Sequence, residues 1–462
     1  MTPGASLTLP AELHGRLRVH LFPGDGLEAA AVVLCTRAPG ARLRLLAVEA
    51  ILVPYAACKE RTADFLTWPG AMIEGAIDKA EENGLSILLM HSHPGALFDF
   101  SSMDDASDRA VVPSLHAAIE QLHGTAVMLQ CGAVRARTYD QAMVRSDIEH
   151  VTVPGQDVQR WWSNQKPDYK PMAFTQAMRA ELGRLSALVI GVSGTGSMVA
   201  EQLARLGFGK VVLVDHDHVE DRNLNRILNT TIEDAQVKAP KVSVFDRAIT
   251  SYRGEDVAQP VYSSIIERDA VVAAAQCDVM FSCVDRLDAR YFADQIAASF
   301  LMPLFDVGVS IPTRRVDGAV SIAEVCTRLD YVRPGGPTLG DRQVYTPASL
   351  RAEELRGADP AAFQKELEDG YIKGLAESAP DVISLNMRAS SDCMLEFLAR
   401  YYGFRHEGNA GHVRTISLLS SCEVDIYSED VFQRDVNPNL GRGDREPLLG
   451  MPRFRVRKAS ER

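Results

Sequence analysis

The sequence predicts an α/β protein of two successive units, a mixed α/β unit in the first third and a doubly wound α/β unit after it. Three observations carry this. Apolar, β-prone runs alternate with helix-period segments from Leu27 to Leu129. The stretch 187–217, ALVIGVSGTGSMVAEQLARLGFGKVVLVDHD, reads strand, glycine turn, helix, strand. Between them, VPGQDVQRWWSNQKPDYKPM at 153–172 breaks all periodicity with three prolines and two tryptophans.

At roughly 150 residues per domain, 462 residues make about three domains or two larger ones. With 46% hydrophobic and 24% charged residues the chain is of globular composition. Its 49 basic and 61 acidic residues leave a net charge of −12, which argues against nucleic acid or an anionic membrane as partner. No apolar run approaches the ~20 residues of a membrane helix. The opening residues lack the basic flank and apolar stretch of a signal peptide. Eight cysteines in a chain this long do not make a disulfide framework, and none sits in a CxxC pair, so no thiolate zinc knuckle is expected. A cytoplasmic enzyme is the expectation.

In order along the chain, strands are expected at Leu27–Thr36 and Leu43–Val53, a helix at Ala71–Glu82, and a short buried strand at Leu85–Ser92. A helix starts near Ser101, and a strand follows at Ala126–Leu129. The first domain is expected over 1–152, a linker over 153–173 that packs on a neighbour through Trp161 and Trp162, and the second domain over 174–462. That domain opens with a helix at Phe174–Leu185 and adds a strand at Asp278–Cys283 and a helix at Tyr291–Phe300. Arg333–Pro380 is a long polar stretch with a helix near Pro360–Leu367, placed to cross over or cover a site, and Arg442–Arg462 reads as a loose tail.

The first chemical signal is HSHPGALFDFSSMDD. His91 and His93 lie two apart at a strand end, so strand period turns both imidazoles to one face. Asp104, near a helix start, turns back toward them. Two histidines and a carboxylate form a zinc-type ligand set that leaves a position for water. Ser101, between the ligands, is placed to hold a developing oxyanion. Glu28, just ahead of an apolar strand, is the best upstream base, with Glu49 and Glu60 as alternatives. An H-x-H pair alone would read as a polar strand end, with Ser101 and Asp104 as helix caps.

The order Glu, H-x-H-P, Ser and Asp resembles the JAMM (JAB/MPN-type) metalloproteases over roughly residues 15–150. The resemblance implies His91, His93 and Asp104 as zinc ligands, Glu28 as general base and Ser101 as oxyanion helper. It also implies cleavage of isopeptide bonds or C-terminal tails next to ubiquitin-like proteins.

The second signal is the glycine loop. Gly191, Gly194 and Gly196 follow a strand and open a helix, where backbone amides attract phosphate. Asp215 ends the next strand, 24 residues after Gly191, where an acid grips a ribose hydroxyl. To this point a dehydrogenase would look the same. Asn223 and Arg226 in NLNR and Lys241 in APKV change that: an arginine and a lysine beside a glycine loop suit a triphosphate better than a nicotinamide. Asp285, after another strand, is placed to bind Mg²⁺.

This set resembles the ThiF/MoeB and ubiquitin-activating enzymes over about residues 174–430, most specifically in VSGTGSMVAEQLARLGFGKVVLVDHDHVEDRNLNR. The resemblance implies a Rossmann-like domain that uses MgATP to adenylate the C-terminal glycine of a ubiquitin-like or sulfur-carrier protein. Asp215 would bind the ribose, Asn223, Arg226 and Lys241 the phosphates, and Asp285 the magnesium. A homodimer through the nucleotide domain and a conjugating-enzyme-like protein are further implied partners. The chain departs from the pattern in three places. The arginine ahead of the glycine loop has no counterpart beyond Lys170 and Arg179. The structural CxxC pairs are absent. Thr338 stands in the crossover loop where thioester-forming relatives commonly carry a cysteine, with Cys326 and Cys393 the nearest thiols. The combined reading is a two-headed enzyme of a ubiquitin-like modifier. Sulfur-carrier activation and a nucleotide-binding scaffold without turnover are the alternatives.

Overall fold

The computed structural model describes residues 3–316, 319–360, 363 and 382–455. They divide into two compact units. One contains Gly4–Lys170, Ala298–Leu301 and the chain from Asn437 onward; the other contains Pro171–Ala297 and Met302–Val436.

The first unit carries strands β1 (Ser6–Thr8), β2 (Ala30–Arg37), β3 (Arg44–Leu52), β4 (Glu60–Arg61), β5 (Leu66–Thr67), β6 (Ser86–Ser92), β7 (His123–Met128), β8 (Val134–Tyr139), β9 (Arg145–Asp147), β10 (His150–Pro154) and β11 (Val158–Trp162). All but the β4–β5 hairpin join one mixed sheet in the order β11-β10-β1-β3-β2-β6-β7-β8-β9. Its centre is covered on both faces. In β2, Ala31, Val33 and Cys35 pack with Leu13, Leu17 and Leu21 of the helix Ala11–Leu21. Val32 and Leu34 pack with Ala76 and Ala80 of the helix Ala71–Asn83 and Leu115 of the helix Ser102–Ala118. Two-sided burial explains why β2 reads as an unbroken apolar run rather than an alternating one.

The second unit carries β12 (Ser186–Ile190), β13 (Lys210–Asp215), β14 (Ala258–Tyr262), β15 (Val279–Ser282), β16 (Leu304–Ser310), β17 (Thr313–Val316), β18 (Ala319–Ile322), β19 (Cys326–Val332), β20 (Arg414–Leu418) and β21 (Glu423–Tyr427). Apart from the β17–β18 hairpin they form a sheet ordered β14-β13-β12-β15-β16-β19-β20-β21. The first five strands are mutually parallel and the last three extend the sheet antiparallel. The chain leaves β12 to one side for β13 and returns on the other with β15, which opens a crevice at the carboxyl ends of these strands. The 20-residue helix Ile383–Tyr402 buries Phe397 against Phe281 and Phe305, with ring centroids 5.8 and 6.0 Å apart.

Two expected boundaries change. The stretch expected as a linker over 153–173 begins inside β10 and contains β11, which pairs antiparallel with β10 from His150↔Trp162 to Pro154↔Val158. Trp162 is buried and Trp161 packs on the apolar core of the first unit. The prolines and polar residues that broke the periodicity belong to the turn and exit of an edge hairpin, and the units part between Lys170 and Pro171. The expected loose tail is also anchored. Thr36 Oγ1 donates to the Gly441 carbonyl at 2.6 Å, Asp444 N donates to the Arg37 carbonyl at 2.7 Å, and Leu448, Leu449 and Phe454 are buried. The expected helix near Pro360–Leu367 falls largely outside the described residues. Among the described residues no helix is long and apolar enough to cross a membrane.

Candidate active sites

The first site forms where the end of β6 meets the start of β2. The two strands run antiparallel with Ala30 opposite His91. Ser92 N donates to the Ala29 carbonyl at 3.0 Å, and Ser92 Oγ accepts from Ala29 N at 2.9 Å. This register brings Glu28 beside the histidines. Glu28 is buried; its N–H donates to the Thr62 carbonyl at 2.8 Å, and its own carbonyl accepts from Arg61 Nε at 2.8 Å. The alternatives lie elsewhere: Glu49 pairs with Lys79 at 2.6 Å on an exposed face of β3, and Glu60 is exposed in β4.

His91 and His93 approach each other through Nε2 at 2.9 Å, and Asp104 lies 3.0 Å from His91 Nε2 through Oδ1 and 3.6 Å from His93 Nε2 through Oδ2. His93 Nδ1 donates to the Leu97 carbonyl at 2.9 Å, which leaves the Nε2 lone pair turned into the cluster. Ser101 and Asp104 form a reciprocal cap: Asp104 Oδ2 accepts from Ser101 N at 2.6 Å, and Ser101 Oγ accepts from Asp104 N at 3.2 Å. Accepting that bond leaves the Ser101 hydroxyl proton for another acceptor. The cap reading of these two residues and the cluster reading therefore hold together.

Charge follows geometry. Burial pushes the Glu28 carboxyl above its ordinary range, only partly offset by the two imidazoles. Burial acts the same way on Asp104, but the adjacent imidazoles, His91 first at 3.0 Å, and the Ser101 amide outweigh it and hold that carboxylate well below the usual range. Burial lowers His93, and Asp104 and the Leu97 carbonyl outweigh it, so His93 ends raised. Glu28, His91 and His93 present donor atoms within 4.8 Å of one another. Two imidazole nitrogens and convergent carboxylates are the donor chemistry of a divalent zinc site, so the residues fit that ion.

The second site is a cavity of about 810 Å³ in the crevice of the second unit, at the ends of β12, β13 and β15. Its volume falls in the range of small-molecule sites, about 300–1,000 Å³. Gly191, Gly194, Asp215, Asn223, Arg226, Lys241 and Asp285 all line it. Gly191 sits at φ +81°, and a Cβ on Gly196 would lie 1.7 Å from the Gly191 carbonyl oxygen. The loop therefore closes onto the start of the helix Gly194–Leu206 only without side chains there.

Asp215 is a structural tie between the loop and the sheet. Its Oδ2 accepts from Val192 N at 2.7 Å and its Oδ1 from Asp217 N at 2.8 Å, tying the glycine loop to the end of β13. Lys241 is buried and donates through Nζ to Asp217 Oδ2 at 2.8 Å. Burial works against the Asp217 carboxylate, but that lysine holds it below its ordinary range. Asn223 Oδ1 accepts from Glu220 N at 3.0 Å, and Arg226 donates to the Arg222 carbonyl at 2.6 Å. Sequence reasoning missed Asp217; the repeat D-H-D at a strand end was its signal.

Lys170, Arg179, Thr338, Cys326 and Cys393 do not line the cavity. Thr338 Oγ1 donates to Asp341 Oδ2 at 3.0 Å in a local turn. Cys283 does line the cavity, and burial pushes its thiol far above the ordinary range.

Comparison with known proteins matches the two units separately. Residues 10–141 match the profile of prokaryotic homologs of the JAB domain, and residues 168–338 match the ThiF family. Ubiquitin-like modifier-activating enzyme 5 of Drosophila pseudoobscura pseudoobscura is 31% identical over 160 residues, 32% of this chain and 36% of that protein. Adenylyltransferase and sulfurtransferase MOCS3 of Danio rerio is 28% identical over 161 residues, 34% of each chain. The matches thus span only about a third of those relatives' length. Among solved structures, E. coli MccB crystallised with ATP is 14% identical, with a TM-score of 0.42 over 57% of this chain and 69% of its own.

Proposed function

Since the chain joins a JAB-homologous domain to a ThiF-family domain, we propose that it is a two-headed enzyme of a ubiquitin-like modifier pathway. One head cuts a tail or an isopeptide bond beside the modifier's C-terminal glycine, and the other adenylates that glycine. The observation that carries the reading is the presence in one chain of the His91–His93–Asp104 cluster and the glycine-loop cavity. Both chemistries act on the same peptide terminus.

In the first head, His91, His93 and Asp104 would hold zinc. Bound there, zinc supplies Lewis acidity toward water and toward a scissile carbonyl. Glu28 takes the proton of the attacking water on its carboxylate and returns it to the leaving nitrogen. Burial raises its basicity for that task. Ser101 Oγ–H donates to the oxygen on which negative charge develops.

In the second head, the modifier's carboxylate attacks the α-phosphorus of ATP and pyrophosphate leaves. The amides at the start of the helix Gly194–Leu206 face the phosphates. Lys241, Arg226 and Asn223 neutralise or bond the charge that develops on them. Asp285 would hold Mg²⁺, whose charge offsets that of the leaving pyrophosphate. Asp215 holds the glycine loop in place and keeps acceptor capacity for the ribose. With Thr338 bonded to Asp341 and the Cys283 thiol protonated, the acyl group of the adenylate passes to a nucleophile on a partner, such as a conjugating-enzyme-like protein, and AMP leaves. Pairing through the nucleotide domain to a homodimer belongs to the same proposal.

ATP–pyrophosphate exchange tests this reading, with a glycine-ended ubiquitin-like protein and its tailed precursor as substrates. Exchange with the precursor should require His91, and exchange with the trimmed form should require only Asp285, as judged from the His91→Ala and Asp285→Ala variants. Binding of ATP without exchange for either form overturns it in favour of a scaffold. The likeness to MOCS3 favours a second reading, sulfur-carrier activation; formation of a thiocarboxylate on the substrate, seen by mass spectrometry, distinguishes it.

A further inference from the structure

A buried arginine behind the first site has no part in the chemistry above. Arg137 lies in β8, wholly removed from solvent, and faces the helix Ser102–Ala118 that brings Asp104 to the histidines. Its guanidinium reaches three points of that helix and its lead-in. NH1 donates to Asp105 Oδ1 at 2.6 Å, Nε donates to Asp108 Oδ2 at 2.9 Å with NH2 2.7 Å from the same oxygen, and the plane lies 3.8 Å from the centroid of Phe100. Asp108 also accepts from Thr125 Oγ1 and from the Tyr139 hydroxyl, both at 2.8 Å. Phe100 immediately precedes Ser101, and Asp105 immediately follows Asp104.

Asp105 and Asp108 are three apart, so they share the helix face turned to the sheet. Asp104 stands about 100° around the axis from Asp105 at 3.6 residues per turn. A planar fork that holds Asp105, Asp108 and Phe100 at once fixes both the rotation of this helix and the height of its first turn. Those two settings decide whether the Asp104 oxygens meet the two Nε2 atoms. The buried Arg137–Asp108 pair adds little net stability over an apolar pair of equal volume, so its value lies in geometry.

We infer that Arg137 is the positioning residue of the metal cluster: it sets the helix so that Asp104 and Ser101 stand against His91 and His93. This inference rests on the reading of the cluster as a zinc site. The test is zinc affinity of the full chain by chelator competition, with thermal unfolding of the metal-free protein measured alongside. Asp105→Asn leaves Arg137 paired with Asp108 and should fold normally. It should weaken zinc binding about tenfold, within the 10- to 100-fold range known for groups that support metal ligands. Arg137→Lys keeps the charge but not the fork and should lose about as much or more, with kcat falling further than KM rises. If both variants melt as the parent does and bind zinc equally tightly, the inference is overturned. Should Arg137→Lys fail to fold, Asp105→Asn alone decides. His91→Ala separates the two claims: unchanged zinc affinity there defeats the zinc-site reading and the inference with it, whereas a loss there with no loss in Asp105→Asn defeats the inference only.

Discussion

At the scale of single residues, the first site assigns different work to two carboxylates by environment. Asp104 is held ionised by two imidazoles and a backbone amide, whereas Glu28 is held basic by burial. The expected consequence is a clean separation of roles. Glu28→Gln should retain zinc and lose about 10²- to 10⁴-fold in peptide-bond cleavage, the usual contribution of a general base. Metal content by elemental analysis and hydrolysis of a tailed substrate check the two halves. Zinc lost together with activity would make Glu28 a ligand. H-x-H and the spacing to Asp104 were legible because they are local. Glu28 was the favoured upstream base, but setting Glu49 and Glu60 aside depends on the register Ala30↔His91 between strands about 60 residues apart in sequence.

At the scale of elements, the glycine turn carries the second site. A methyl on Gly196 would collide with the Gly191 carbonyl oxygen, which is backbone and has nowhere to yield. Gly196→Ala should therefore destabilise the unit by about 1–3 kcal/mol and abolish nucleotide binding, measured by chemical denaturation and ATP titration. The segment after β19 is held from below by Asp294, on the helix Leu287–Ser299. Asp294 Oδ2 accepts from the Tyr345 hydroxyl at 2.7 Å and from Gly340 N at 3.2 Å. Burial pushes this carboxyl up to about 7 against those hydrogen bonds, from an ordinary 3.8. Between these pH values the folded protein keeps a proton that the unfolded chain has released. Stability from this site is thus full below 3.8 and is lost as pH rises through 7. Urea unfolding at pH 5 and pH 8 should show this loss in the parent and a flatter profile in Asp294→Asn. Equal profiles would mean that Asp294 is ionised throughout.

At the scale of the whole molecule, the chain's last described residues belong to the unit that Gly4–Lys170 builds. Thr36 and Arg37 of β2 bond to Gly441 and Asp444. Leu448, Leu449 and Phe454 are buried, at about 1.5–3 kcal/mol for each such side chain. Deleting residues 437–462 should therefore loosen the JAB-type unit while leaving ATP binding in place. Hydrogen exchange mapped onto residues 30–52 is the measurement. Unchanged protection of β2 and β3 would show that the segment adds nothing to that unit.

The sequence by itself determined that the chain holds two α/β units, that two histidines lie at a strand end with an aspartate at the next helix start, and that a glycine loop joins a strand to a helix. Each of these is written in short-range periods and turns. Only the tertiary structure decided that Glu49 and Glu60 lie away from the histidines, that Asp217 holds Lys241, that a buried arginine in VRARTY grips the helix of Asp104, and that a tryptophan-bearing stretch is an edge strand rather than a linker. Those outcomes depend on which distant strands pair and in which register. Side-chain identity along one segment does not encode that pairing; burial and hydrogen bonding across segments do.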